Sequence, residues 1–454
     1  MQNDPIFQPL KFRNLTVKNR IFRSSISGRF DNYDGSGNLA RVNWEERFAR
    51  GGVGTIITSF VPVHMRGRIL PNYAMIDNDD KIPFWREVVK RVHSHDCSFI
   101  IQLSHSGRQR DVPGVDNLMN KGLSSTNSKD TFHGLLCEAA TKSEIQDIIQ
   151  YFVNGARRAR EAGADGIELH SAHGYLFTQF LSSAINDRTD EYGGPLRNRA
   201  RFLLEVIRAI RKEVGPDFHL QAKISAVDNN NALFPWEKKG NTLEESVQVC
   251  KWVEEEGADA IHVSIGSIFP HPQLPSGGFP PDELNWWYGN MISSGVRGYL
   301  NYTLFHFKVL RPIFLYLWNR TKKDRAIEGV CREESKVINA AVSIPVINTG
   351  GYQDAALIRQ SINEGYCDGV TIARPLIANN DLPKIWASGR DIPERPCSFC
   401  NRCLINAVAN PLGCYDERRF EGRGGREAML REVMTVFHPA PYPGAETESM
   451  SGGM

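Results

Sequence analysis

Four cysteines fall within eighteen residues of one another near the C-terminal end, Cys397, Cys400, Cys403 and Cys414, in the pattern Cys-x2-Cys-x2-Cys-x10-Cys. Three thiolates on a tight turn cap one face of a metal site and a fourth closes it, so the spacing suits either a [4Fe–4S] cube or a tetrahedral zinc. The remaining five of the nine cysteines are scattered singly. An odd total, with no basic-then-apolar leader pattern at residues 1–5, points to a reducing, cytoplasmic setting, where a cysteine cluster binds metal rather than pairing in disulfides.

A second constellation is His170-Ser-Ala-His173-Gly-Tyr175. Two imidazoles can donate hydrogen bonds to one substrate oxygen, and a nearby phenol can deliver a proton. No third ligand follows at metal spacing, which ranks a metal site there below oxyanion binding. Gln102 and Lys223 stand inside otherwise apolar runs. An amide and a buried cation can hold a planar electron-accepting heterocycle, the cation stabilising negative charge on the reduced ring. Gly350-Gly351 and Arg374 close two further runs. Exposed backbone N–H groups beside a bidentate cation suit a phosphate, although a helix cap and a surface arginine would read the same way.

These residues need a scaffold that brings chain ends together. Short β-branched runs recur at 20–26, 53–59, 98–103, 166–170, 219–225, 260–265, 345–349 and 369–373, with amphipathic helical patterns between most of them. Phe202, Leu203, Val206, Ile207 and Ile210 follow the i, i+3, i+4 rule, and Thr141…Glu144 and Thr242…Glu245 read as capping boxes. Eight βα units in series predict an α/β fold, a (β/α)8 TIM barrel, with the chemistry on loops after the strands. The predicted organisation is a barrel over 1–390, a four-cysteine segment over 391–420 and a tail over 421–454 with one docked helix at most.

The regularity breaks between the sixth and seventh runs, where 268–340 is inserted. Its part over 286–318 is crowded with Trp, Tyr, Phe and Leu, and Leu300, Leu304, Phe307, Leu310 and Phe314 recur at helical intervals. Lys308, Arg311 and Arg320 add positive charge, and Pro312 predicts two short helices rather than one rod. Two readings stand: a helical pair roofing the barrel, or an amphipathic surface that touches a membrane peripherally or an apolar partner.

Composition excludes other classes. The 454 residues carry 54 Lys+Arg against 52 Asp+Glu, a net +2 that argues for no nucleic-acid partner. With 41% hydrophobic and 23% charged residues the chain can bury a sizeable core, and no apolar run reaches the roughly 18 residues of a membrane span.

The motifs together resemble the Old Yellow Enzyme family of NADH:flavin ene-reductases. The likeness rests on Asn19-Arg20, Gln-Leu-x-His-x-Gly-Arg at 102–108, His-x-Ala-His-Gly-Tyr at 170–175, Asn-Asp-Arg-Thr-Asp-Glu-Tyr-Gly-Gly at 186–194, Arg-Asn-Arg-Ala-Arg-Phe at 197–202 and Ala373-Arg374-Pro375. The resemblance implies an FMN-binding barrel in which Ser25, Ile26 and Ser27 line the flavin and Thr58 or Ser59 lies near its reactive edge. Gln102 would bond the pyrimidine side, Lys223 would face the N1/O2 edge, and Gly350, Gly351, Ala373 and Arg374 would hold the phosphate. His170 and His173 would bind a substrate carbonyl, with Tyr175 the proton donor.

The four cysteines resemble the cluster segment of the 2,4-dienoyl-CoA reductase and trimethylamine dehydrogenase branch, which implies a [4Fe–4S] cluster, although the last gap is a residue or two short. That branch continues with FAD- and nucleotide-binding domains. No G-x-G-x-x-G follows a strand in this tail, so electrons are expected from NADH or NADPH directly or from a separate electron-transfer protein. The expected substrate is an apolar enone or enoyl thioester and the expected assembly a homo-oligomer. The alternatives are a flavin-dependent amine or alcohol dehydrogenase and, from another class, a non-redox phosphate-binding barrel with structural zinc.

Overall fold

The computed structural model describes residues 3–26, 28–110, 121–131, 133–292, 295–322, 325–407 and 410–438. Eight parallel strands form its centre: β1 Ile21–Arg23, β2 Thr55–Ile57, β3 Ser98–Ser104, β4 Gly166–Ser171, β5 His219–Ser225, β6 Ala260–Ser264, β7 Val346–Thr349 and β8 Gly369–Ile372. Each pairs with the next, and β8 pairs with β1 through Val370 and Ile21, which closes the sheet. The fold is the (β/α)8 barrel that the eight runs predict. Buried side chains of β-branched type dominate the strands because both faces of a parallel sheet are covered.

Helices between the strands form the outer ring. The two expected capping boxes are present at Thr141 and Thr242, starting Lys142–Glu161 and Leu243–Glu255. Helix Leu196–Val214 buries Phe202, Leu203, Val206, Ile207 and Ile210 and ends at Gly215, whose φ of 70° a Cβ would strain. At the N-terminal end of the barrel, the hairpin of Leu10–Lys11 and Thr16–Val17 packs Leu10, Phe12 and Val17 on Phe22, Ile57 and Ile100. That end is plugged, so an open site must lie at the other.

The long insertion forms helices Pro281–Gly289, Val296–His306 and Arg311–Lys322. Pro312 occupies the first turn of the last one, where a missing N–H costs nothing. Phe279, Leu284, Trp287, Tyr288, Phe305 and Trp318 pack with Phe60, Tyr73 and Tyr175 in one apolar cluster. The insertion therefore sits over the C-terminal mouth of the barrel. After the cysteine segment, helix Gly425–Met434 buries Met429 and Val433, and Asn43 donates to the Val436 carbonyl at 2.8 Å.

Candidate functional site

Strand periodicity decides which side chains reach the barrel interior. Residues two apart share a face, so Glu168 with His170, and Gln221 with Lys223, point inward together. Register sets Gln102 and Gln221 opposite Glu168, and Lys223 opposite both His170 and His262. A polar layer results, fully buried, at the floor of the mouth.

Glu168 is the centre of that layer. Its carboxylate accepts from Gln102 Nε2 at 2.6 Å, Gln221 Nε2 at 2.5 Å and His262 Nδ1 at 2.6 Å. Burial alone would push its carboxyl up, but His262, Lys223 and the Gln102 hydrogen bond outweigh it and hold it at about 2. Burial lowers His262 to about 4, so it donates as a neutral imidazole. Lys223 is lowered by burial and pulled back up by Glu168.

Above the floor, Lys223 Nζ and Gln102 Nε2 converge on Ser25 Oγ, at 3.3 and 3.0 Å. Gln102 Oε1 and His170 Nδ1 are buried with no hydrogen-bond partner among the described residues. Burial holds His170 and His173 well below the ordinary imidazole value, with Lys223 adding to the effect. His173 takes a left-handed conformation, φ 61°, and its Nε2 meets Ser264 Oγ at 2.7 Å, so one ring nitrogen is already engaged. Tyr175 lies with its ring centroid 4.7 Å from His170 and 5.0 Å from Phe60. Burial, with Tyr73, pushes its phenol well above 10.

One cavity gathers Ser25, Ile26, Gln102, His170, His173, Tyr175, Lys223, Gly351, Ala373 and Arg374. Ser27 lies outside the described residues. Three expected residues do not line the cavity. Thr58 Oγ1 accepts from the Gln102 backbone N–H at 2.8 Å and Ser59 Oγ from Arg41 at 2.8 Å, so both hydroxyls are spent on the scaffold. Gly350 faces the returning insertion: a Cβ there would come within 2.9 Å of Gly329 Cα.

Arg374 donates to the Ser276 carbonyl and to Asn401 Oδ1, both at 2.5 Å, and its guanidinium stacks 5.2 Å from the Phe399 ring centroid. It thereby ties the loop after β6 to the cysteine segment. Cys397, Cys400, Cys403 and Cys414 line a second, smaller cavity, and Arg374, Ile377 and Cys403 belong to the walls of both. Phe399 and Asn401 hold positive φ within the Cys-x2-Cys-x2-Cys turn, which folds the three thiols inward. Burial pushes Cys397 up to about 11, against the pull of Arg374. Arg419 Nη1 donates to Cys414 Sγ at 3.2 Å. Among the described residues no three His, Cys, Asp or Glu converge on the point a single metal ion would occupy.

Sequence reasoning missed Glu168, Gln221 and His262, and also Leu404 and Leu412, which bring the cysteine segment into the wall of the larger cavity. The missed polar layer had a signal: ionisable or amide residues at alternate positions in otherwise apolar strands.

Residues 5–276 match the NADH:flavin oxidoreductase / NADH oxidase family. An NADH oxidase of Thermoanaerobacter brockii is 32% identical over 427 residues, 91% of this chain and 57% of that protein. A cinnamate reductase of Clostridium sporogenes is 26% identical over 458 residues, 95% of this chain and 61% of that protein. The chain thus spans about three-fifths of the length of these relatives. Among solved structures, a 2-naphthoyl-CoA reductase complex superposes with a TM-score of 0.72 at 22% identity, covering 90% of this chain and 56% of the other. That likeness shows the fold.

Proposed function

The chain belongs to the NADH:flavin oxidoreductase / NADH oxidase family, and from that premise we propose that it is an FMN-dependent oxidoreductase acting on the activated C=C bond of an α,β-unsaturated carbonyl or enoyl thioester, with NADH or NADPH as electron donor. One observation carries this reading: a single cavity lined by an amide, a buried lysine, two neutral histidines, a tyrosine and a phosphate-suited arginine. The donor set fits a flavin. Gln102 Oε1 is a buried acceptor with no partner among the described residues, suited to the N–H of a pyrimidine edge, and Lys223 would supply the cation for the opposite oxygen. When bound, FMN would supply hydride to the β-carbon of the alkene. Around it, neutral His170 and His173 would orient the carbonyl and donate hydrogen bonds as negative charge develops on its oxygen. Tyr175 would hold the proton destined for the α-carbon. Phe60, Phe269 and the insertion would exclude water and favour an apolar substrate. The test is anaerobic reduction of the purified protein with NADH or NADPH, followed by a panel of enones and enoyl thioesters. Bleaching by neither nucleotide, with no substrate consumed, would sink the reading.

The four cysteines would hold a [4Fe–4S] cluster. Support comes from their common cavity, since a cube needs thiolates around a space. The shared wall of Arg374, Ile377 and Cys403 would bring that cluster beside the flavin, a route for electrons from a separate carrier. Anaerobically prepared protein is expected to contain about four irons and four acid-labile sulfides per chain. Because Arg374 faces both cavities, Arg374→Ala is expected to lower flavin and iron content together. Stoichiometric zinc in iron-replete protein would refute the cluster, and unchanged flavin affinity in the variant would refute the phosphate role of Arg374.

A further inference from the structure

The inner face of the insertion is spent on the roof of the cavity; its outer face is not. On helix Val296–His306, Val296 and Tyr299 are exposed, the former by 76%. The turn into the next helix presents Phe307 and Val309, the latter 80% exposed. On helix Arg311–Lys322, Ile313 and Tyr316 continue the surface at a spacing of three. A contiguous run of exposed large apolar side chains is uncommon on a monomer surface and marks a place where something docks.

Charge says what. Residues 286–322 contain five Lys or Arg (Arg297, Lys308, Arg311, Arg320, Lys322) and no Asp or Glu, in a chain whose totals are 54 and 52. Arg311 is bonded to Asp282, and Arg297 lies over Phe234. Among the described residues, no ion pair engages Lys308, Arg320 or Lys322. Exposed apolar side chains, tyrosines with an apolar body and a polar tip, and cations without an ion pair, on two short helices, are the composition of a segment lying in a lipid headgroup layer. A second copy fits worse, because a two-fold contact would face these cations with themselves. Crossing is excluded for the described helices, none of which is long and apolar enough to span a bilayer.

We infer that the outer face of helices Val296–His306 and Arg311–Lys322 and the turn between them docks on an anionic membrane surface, with Phe307, Val309, Ile313 and Tyr316 entering the headgroup boundary and Lys308, Arg320 and Lys322 neutralising lipid charge. The apolar roof would then open toward the layer in which a hydrophobic substrate dissolves. The inference does not rest on the flavin assignment, since lipid binding is read without turnover.

The test is co-sedimentation of the full chain with vesicles of phosphatidylcholine alone or of an equimolar mixture with phosphatidylglycerol. Binding is expected only to the mixed vesicles, and molar salt should release it, because exposed charges are screened within about 3 Å at 1 M. The triple variant Phe307→Ser, Val309→Ser, Ile313→Ser should bind about tenfold or more weakly, and Lys308→Glu with Arg320→Glu should lose binding at low salt. All these side chains are exposed, so unchanged melting temperatures will show that the variants fold. No binding to mixed vesicles at low salt, or equal binding by wild type and both variants, would overturn the inference. So would a dimer in solution that the serine variant dissociates, which would assign the face to a second copy.

Discussion

Tyr175→Phe is expected to slow alkene reduction by about 10²–10⁴-fold, the usual contribution of a positioned proton donor, while reduction of the holoenzyme by NAD(P)H keeps its rate. The substitution removes one oxygen and leaves the ring contacts to Phe60 and His170, so the cavity wall survives. The environment of the phenol makes the expectation sharper. Burial and the neighbouring Tyr73 push it well above its ordinary value of 10, so it remains protonated throughout the working range. It would therefore be available as a proton source at any such pH, and alkene reduction should show no basic limb below about pH 10 that the variant removes. The two half-reactions are separable by stopped flow. Equal slowing of both would assign Tyr175 to packing. No slowing of either would mean that solvent supplies the proton.

The barrel was legible because parallel strands covered on both faces are short β-branched runs, and because helix ends between them carry explicit punctuation. All eight runs contain the strands observed, apart from the last residue or so at the C-terminal ends of β3 and β4. Gln102, His170, Tyr175 and Lys223 were legible for the same reason: each interrupts or ends an apolar run at the mouth. Thr58 and Ser59 were placed at the right strand end but not on the cavity, because their hydroxyls answer the Gln102 backbone N–H and Arg41, partners 44 and 18 residues away. The sequence suggests Gly350 as part of a phosphate cradle; what it does not show is that the missing side chain also serves the close approach of Gly329, brought back by the insertion. Such non-local pairings leave no mark on local sequence. Glu168 is different, since its alternate spacing with His170 is visible once the barrel is assumed. What hid it was the custom of reading a buried strand as uniformly apolar.

Glu168→Ala is expected to destabilise the protein by about 3–5 kcal/mol, because it removes the buried acceptor shared by Gln102, Gln221 and His262 and the countercharge of a buried cation. That cation is Lys223, 1% exposed, which Glu168 pulls up through space without an ion pair and which, among the described residues, donates to the Ser25 hydroxyl. The gentler Glu168→Gln keeps the volume and separates charge from packing. In the folded protein the Glu168 carboxyl is held at about 2, below its ordinary 4.5. Its contribution to stability is therefore complete above the unfolded value and is lost as pH falls from about 4.5 through about 2. His262, held at about 4 by burial, acts with the same sign in an earlier window: the unfolded chain takes up its proton below about 6.5 while the folded one does not. Acid destabilisation should thus come in two stages, and only the later one should flatten in Glu168→Gln. Urea unfolding of wild type and variant at a series of pH values between 7 and 3 reads both stages. Identical pH slopes for the two proteins below pH 4.5 would show that the carboxylate at the centre of the barrel is not the group that acid reaches.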